Sequence, residues 1–406
     1  MEFPLPAPVR LAMEKLGNAG FRSDIVGGCV RDFLRGAVPH DFDMTTSATP
    51  PQMQEVFRDF RTIETGIRHG TLTVLVEGMA LEITTWRVDG GYTDHRHPAA
   101  VTFTRSLAED LARRDFTVNA MCYNPTDGLT DLYGGREDLA ARRIRAVGEP
   151  SRRFDEDALR ILRALRFASV LDFSIEKETS RALTEKRELL RVVSAERIFA
   201  EWQKLLCGVA APRILAEYAP VVSVFLPEIA SAAAPALAAL PPDFTQRFLY
   251  LFAAAGREDP VTDFAVACER LRTPAALRRH GTAVLSRLTP APYLSDRELR
   301  HILYDIGVED TGLLLSLRRA FGAPEEEMPR MGEILSGSTL LGIGDLAVGG
   351  GDLVALGYRG TAVGEAQRTL AALVLDGVCP NEKTALIGAL TAAGKDPRGK
   401  GENHGV

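Results

Sequence analysis

Residues 24–46 read DIVGGCVRDFLRGAVPHDFDMTT. A short apolar strand, Ile25-Val26, runs into Gly27-Gly28 and then a helix start carrying Arg31 and Asp32. The chain returns as a second strand in which Asp41 and Asp43 stand two apart. Strand side chains alternate faces with period two, so these carboxylates are expected on one face. Two adjacent carboxylates repel and raise each other's pKa unless a cation sits between them. A hard divalent ion held by one or two carboxylates plus substrate phosphates is the usual way Mg2+ is bound. The Gly-Gly turn admits a phosphate close to backbone at a helix start, whose N–H groups favour an anion. Glycine turn, helix start and acidic pair together suggest a metal-dependent nucleotidyl-transfer site. Such pairs also occur as plain loop chemistry, so the neighbouring stretches have to decide.

The chain has 406 residues, enough for two to four domains. With 46% hydrophobic and 25% charged residues it reads as globular rather than disordered. Pro4, Pro6 and Pro8 interrupt the N-terminus, so no signal peptide is expected. No apolar run reaches the ~18 residues of a membrane span. Five scattered cysteines without a CxxC pair (Cys29, Cys122, Cys207, Cys268, Cys379) suit reduced thiols in a cytoplasm and disfavour zinc. The net charge of −6 argues against a large sequence-independent nucleic-acid surface, but not against a local basic groove.

Outward from the opening stretch, residues 7–19 and 48–60 read as helices, and 71–77 and 80–88 as strands joined at Gly78. Glu82 faces away from Leu81 and Ile83, either as a third acidic group near the metal or as an exposed strand residue. Residues 89–100 (DGGYTDHRHPAA) form a loop long enough to be functional. Residues 131–139 hold another Gly-Gly turn, and 143–147 a closing strand. After 150 the pattern turns helical, with candidates at 154–170, 176–187, 194–207, 211–218, 244–256, 262–271, 274–288, 296–306, 309–321, 350–357, 363–377 and 381–393. An α+β fold follows: a mixed sheet with helices, then a long all-helical part. Residues 394–406 read as disordered. His280 and His301 are isolated and carry no metal-ligand pattern.

Residues 154–168 read FDEDALRILRALRFA. On one continuous helix, Asp157, Arg160, Arg163 and Arg166 step round half of its surface. An exposed, ion-paired helix is the plain reading. A sharper one uses donor and acceptor chemistry. A carboxylate only accepts and a guanidinium only donates. Cytosine and adenine present a donor beside an acceptor on their pairing edges; guanine and uracil present the reverse order. Asp157 and Arg160 side by side would accept C and A and leave G and U with unpaired groups, a strong source of discrimination. Arg163 and Arg166 could hold phosphate or stack.

The motifs GGCVRDFLRG…HDFDMTT (27–46), RRDFTVNAM (113–121), DLYGGREDL (131–139), EDALRILRALRF (156–167) and ERIFAEWQKLL (196–206) stand in this order. Together they resemble class II tRNA nucleotidyltransferases: the CCA-adding enzymes and bacterial poly(A) polymerases of the polymerase-β-like superfamily. VGGGDLVALGYRG…NEK (348–383) resembles the bacterial type lacking a phosphohydrolase domain. The resemblance implies a polymerase-β-like nucleotidyltransferase head at 1–150 and a helical neck for base recognition at 151–210. A body at 211–310 and a tRNA-binding tail at 311–393 would follow, in an elongated, curved molecule. It implies Mg2+ on Asp41 and Asp43, triphosphate contacts from Gly28 and Arg31, and a nucleotide contact from Arg114. Asp157 and Arg160 would template the base, with Arg163 and Arg166 holding it or its phosphates. The loop containing Asp89, Tyr92, Asp94 and Arg96 resembles the segment associated with switching from C to A addition. The implied partners are tRNA, CTP and ATP, without a membrane; the oligomeric state stays open between monomer and homodimer. The implied activity is template-independent addition of CCA to the tRNA 3′ end. A-adding, poly(A)-adding and CC-adding activities remain as alternatives, the first because it keeps the same loop. A catalytically silent RNA-binding relative is disfavoured by the intact Asp pair. Basic positions Arg191, Arg197, Lys204, Arg318, Arg319 and Arg359 are expected along one RNA-facing surface.

Overall fold

A computed structural model describes residues 2–90, 101–229, 237–289, 293–337 and 340–392. They fall into two compact units, one mainly residues 1–238 and the other mainly 245–268 with 273–406.

The first unit is built on a mixed seven-stranded sheet. Its strands are β1 (Ser23–Val26), β2 (Asp43–Thr46), β3 (Arg61–Ile63), β4 (Thr71–Val76), β5 (Met79–Thr85), then, after a β6–β7 pair (Arg87–Asp89 and Val101–Phe103), β8 (Met121–Asn124) and β9 (Gly128–Asp131). The order is β3-β4-β5-β2-β1-β8-β9, with β2 and β5 parallel and every other pair antiparallel. Period-two alternation sends Leu72, Val74, Val76, Leu81 and Ile83 into the core. Helices α1 (Ala7–Asn18), α2 (Gly28–Leu34) and α3 (Pro50–Val56) cover that face with Val9, Leu16, Val30 and Met53. Each fully buried aliphatic side chain contributes roughly 1.5–3 kcal/mol. The opposite face keeps Thr71, Glu82 and Thr84, the chemistry-bearing side of the sheet.

Helices α4 (Leu107–Ala112) and α5 (Gly135–Ala140) precede a short strand, β10 (Arg143–Ile144). The expected closing strand therefore does not join the main sheet; β10 pairs in parallel with β11 (Ser174–Ile175), inside the stretch read as purely helical. Between them the expected helix 154–170 is broken. α6 (Pro150–Glu156) ends where Asp157 turns extended, with φ −139° and ψ 105°, and α7 (Leu159–Leu171) begins two residues on. The cause is local: the Asp157 carboxylate accepts from the Leu159 N–H at 3.1 Å, the competition with helix backbone that aspartate favours. Helices α8 (Lys177–Glu185) and α9 (Ala195–Leu206) follow, and α9 packs along α7. The contact is close at Ser169, whose hydroxyl donates to the Leu205 carbonyl at 2.7 Å. α10 (Ala211–Glu217) and α11 (Ala219–Val222) end the described part of this unit's main run.

The second unit is helical: α12 (Phe244–Ala253), α13 (Pro260–Arg270), α14 (Ala275–Arg287), α15 (Asp296–Ala320), α16 (Glu327–Gly337), α17 (Gly350–Ala355), α18 (Thr361–Leu375) and α19 (Lys383–Ala392). The two helices expected over 296–321 are halves of α15, broken at Gly307 with φ 79° and ψ 176°, a conformation essentially restricted to glycine. The sequence pattern missed α16. Its Pro329 suggests a breaker, yet it lies in the first turn, where the missing N–H has no partner to lose. His280 and His301 pair with Asp310 and Asp376, at 2.8 and 2.7 Å. Arg318 corrects the expected RNA-facing set. It is 2% exposed, and its guanidinium donates to both Glu327 oxygens and to the Thr289 carbonyl. Glu327 also accepts from the Leu294 N–H, so one ion pair ties α15, α16 and the segment before α15. Among the described residues no helix is long and apolar enough to cross a membrane.

Removing one partner of a buried ion pair leaves an uncompensated charge and costs about 3–5 kcal/mol. Glu327→Gln is expected to destabilise this unit by roughly 3 kcal/mol, read by denaturant unfolding. Unchanged stability would show that the pair carries no net weight.

Candidate nucleotidyl-transfer site

The site grows from the β2–β5 register. Asp43 starts β2, and its Cα partner on β5 is Glu82. Both line a recess of about 210 Å³ with Val26, Met44, Thr71, Thr84, Arg87, Arg113 and Arg114. Asp41 lies just before β2 rather than in it, so strand alternation does not relate the two aspartates. Its charge still reaches Asp43. The Asp43 carboxyl is raised above the ordinary range, first by the crowding of the recess around a group that keeps solvent access, then by Glu82, with Asp41 adding and Arg114 opposing. Glu82 thus stands beside Asp43 on this face. Hard oxygen donors with unrelieved mutual repulsion fit a divalent cation. Among the described residues no three acidic, His or Cys side chains converge into a ready cage, which suits an ion completed by substrate oxygens. Cys29 is no candidate ligand: burial first, then Asp43, push its thiol up to about 12.

Opposite the acids, Gly27 holds φ 80° and ψ −126° and caps α2, which begins at Gly28. A Cβ on Gly27 would meet Arg114 Nη1 at 3.4 Å, so the turn and this arginine face each other closely. Arg113 and Arg114 are fixed by Asp110, a fully buried acid on α4 that sequence reading overlooked. Burial would raise Asp110, but Arg113 and Arg114 outweigh it and hold it below the ordinary range. The spacing i, i+3 and i, i+4 within EDLARR was the available signal.

A second cluster gathers around Phe167. Arg166 lies over its ring at 3.7 Å, Arg163 at 5.3 Å and Arg31 at 5.5 Å. Arg31 donates to Asn119 Oδ1 at 2.8 Å and pairs with Asp32. Arg163 pairs with Asp115 at 2.7 Å and with Glu201 at 3.3 Å; Arg166 pairs with Glu201 at 2.6 Å. Burial alone would raise Asp115. The Arg163 charge and hydrogen bonds, the Arg160 charge and the Phe116 N–H outweigh it and bring it to about 2. Arg113-Arg114-Asp115 therefore joins both clusters. The Arg113 carbonyl accepts from Arg160 at 2.8 Å, Arg114 lines the acidic recess, and Asp115 holds Arg163.

The Arg160 N–H donates to the Asp157 carbonyl at 3.0 Å, but the two side chains pair with other residues. Arg160 is 9% exposed and pairs with Glu156 at 2.9 Å. Asp157 accepts from Arg197 at 2.8 Å. The expected loop residues Tyr92, Asp94 and Arg96 lie outside the described residues, as does the side chain of Asp89.

A family model described as "Poly A polymerase head domain" matches residues 24–145, and one described as "Probable RNA and SrmB- binding site of polymerase A" matches 172–232. The chain is 49% identical over 193 residues to the CCA-adding enzyme of Lactobacillus helveticus, and 48% identical over 204 residues to that of Enterococcus faecalis. The chain spans about half the length of these curated relatives, and about half of its own length is matched. Over nearly its whole length it is similar to the crystal structure of the Bacillus stearothermophilus CCA-adding enzyme in complex with CTP. That match has a TM-score of 0.83 at 30% identity and covers 98% of this chain and 100% of the other. This chain belongs to the CCA-adding enzyme family. The Thermotoga maritima CCA-adding enzyme complexed with tRNA shares the fold at 22% identity, with a TM-score of 0.68 and 96% of both chains covered.

For a CCA-adding family member, two substitutions separate charge from fold at this site. Asp43→Asn relieves like-charge crowding, so the metal-free protein is expected to melt at a higher temperature while nucleotidyl transfer falls by at least about a hundredfold. Glu82→Gln is expected to lower activity roughly ten- to a hundredfold. Full activity in both variants would show that the recess is not the reacting centre. Asp115 gives the pH signature. Its lowered folded-state pKa stabilises the fold above the unfolded value, and this is lost as pH falls toward about 2. The stability gap between wild type and Asp115→Asn, measured by urea unfolding, should be about 3 kcal/mol at pH 6 and shrink below about pH 4. A gap independent of pH would contradict the assignment.

Proposed function

We propose that this chain adds C, C and A to the 3′ end of tRNA without a nucleic-acid template, using CTP and ATP and Mg2+, in the cytoplasm. The full-length similarity to a CCA-adding enzyme whose structure holds CTP supports this reading most directly. The RNA-binding family match at 172–232 supports RNA contact from the helices after the sheet. Five scattered cysteines without a CxxC pair agree with a reducing compartment.

Asp41, Asp43 and Glu82 would hold the metal, which when bound lowers the pKa of the RNA 3′-hydroxyl and offsets triphosphate charge. The remaining work falls to the protein's own groups. Gly27 keeps side-chain bulk off the turn, so the triphosphate can lie against the start of α2. Arg31 and Arg114 flank that turn from two sides and supply cations for the phosphates. The 3′-hydroxyl attacks the α-phosphorus in line, and pyrophosphate leaves with the electron pair of the broken bond. Catalysis is positioning and electrostatics, so no covalent nucleophile is needed, and Cys29 stays a protonated thiol. Asp157 and Arg160 choose the base. Each is held by a protein partner in this structure, so a base that displaces those partners must match them in donor and acceptor order.

Incubation with tRNA lacking its 3′ CCA, Mg2+, and CTP, ATP or both tests this by product length. Three added residues requiring both nucleotides is the expected result. A long A tail, a stop after two C residues or an A-only product would replace it with the corresponding neighbouring activity.

A further inference from the structure

Arg197 and Glu201 stand one turn apart on α9, so they share a face. That face meets the nucleotide-facing side chains of the α6–α7 junction and α7 at two levels. At the first, Arg197 Nη2 donates to Asp157 Oδ2 at 2.8 Å while the Leu159 N–H donates to Oδ1 at 3.1 Å. Each carboxylate oxygen thus spends one acceptor site on the protein and keeps another for a ligand. The two donors come from different elements, so together they fix the plane of the carboxylate. At the second level, Glu201 meets Arg163 and Arg166 at 3.3 and 2.6 Å. Its side chain is 9% exposed, and Asp157 keeps 19%.

We infer that α9 is a ruler for nucleotide choice: Arg197 is a positioning residue that sets the accepting edge of Asp157, and Glu201 a positioning residue that spaces Arg163 and Arg166. This rests on the proposed role of Asp157 in base selection. The two levels separate by consequence. A carboxylate free to rotate can turn its accepting edge away from the cytosine or adenine amino group, so loss of Arg197 erodes discrimination. Glu201 touches no base-reading group. Its loss loosens cations that meet features common to all nucleotides, which weakens uniform binding. A merely structural ion pair would instead change thermal stability and all four nucleotides alike.

The test measures kcat/KM for CTP, ATP, UTP and GTP on tRNA primers with the full chain, in Arg197→Ala, Arg197→Lys, Asp157→Ala, the Arg197→Ala/Asp157→Ala double variant and Glu201→Gln. Arg197→Ala is expected to reduce the CTP-over-UTP ratio by at least about tenfold, with most of it restored in Arg197→Lys. The double variant should lose no more than Asp157→Ala alone, since one residue acts through the other. Glu201→Gln should raise KM for CTP and ATP by similar factors and keep the ratio. If Asp157→Ala lowers the ratio while Arg197→Ala leaves it within about twofold, or if the two effects add in the double variant, the ruler is overturned and base selection by Asp157 stands. If Asp157→Ala leaves the ratio intact, base selection by Asp157 falls together with the ruler. If Arg197→Ala folds poorly, Arg197→Gln takes its place: a CTP-over-UTP ratio at least about tenfold lower at an unchanged melting temperature supports the ruler, and a wild-type ratio overturns it.

Discussion

One parallel strand pair sets the chemistry of this protein. β2 and β5 are locked by buried aliphatic residues on one face, and the same register forces Asp43 against Glu82 on the other. The core has no freedom to relieve the repulsion, because a one-residue slip would turn Leu81 and Ile83 out to solvent. Hydrophobic burial therefore stores an electrostatic tension that a cation can release. The neighbouring arginines do not neutralise it fully, since Arg113 and Arg114 are themselves committed to Asp110.

The same economy of charge runs through the helices. Arg31, Arg160, Arg163, Arg166 and Arg197 all have acidic partners within the protein. Cations left unpaired in a half-buried cleft would cost several kcal/mol each, so these are paired within the protein. Arg31, Arg163 and Arg166 share one backing, the ring of Phe167 on α7.

Much of this was legible in the sequence because it is local. The glycine turn, the helix start and most helix boundaries follow from spacing, capping and periodicity; the strand alternation expected to relate Asp41 to Asp43 does not hold, because Asp41 precedes β2. What escaped was set by tertiary pairing. The sequence left Glu82 open between an acid near the metal and an exposed strand residue; the β2–β5 register, which no local pattern encodes, sets it beside Asp43. The helix expected across 154–170 broke because one side chain, Asp157, capped the next segment, and periodicity is blind to that competition. Arg318 read as a surface cation, but its partner Glu327 lies nine residues on, across a helix end. Arg197 was expected to face RNA and instead holds Asp157, a residue forty positions earlier.

The central claim is that the recess at Asp43 and Glu82 binds a divalent ion completed by the nucleotide's phosphates. Mn2+ titration followed by electron paramagnetic resonance, with and without CTP, measures this directly. The account predicts weak Mn2+ binding alone, much tighter binding with CTP, and loss of the CTP-dependent component in the double variant Asp43→Asn/Glu82→Gln. Tight CTP-dependent binding that survives in that double variant would contradict it.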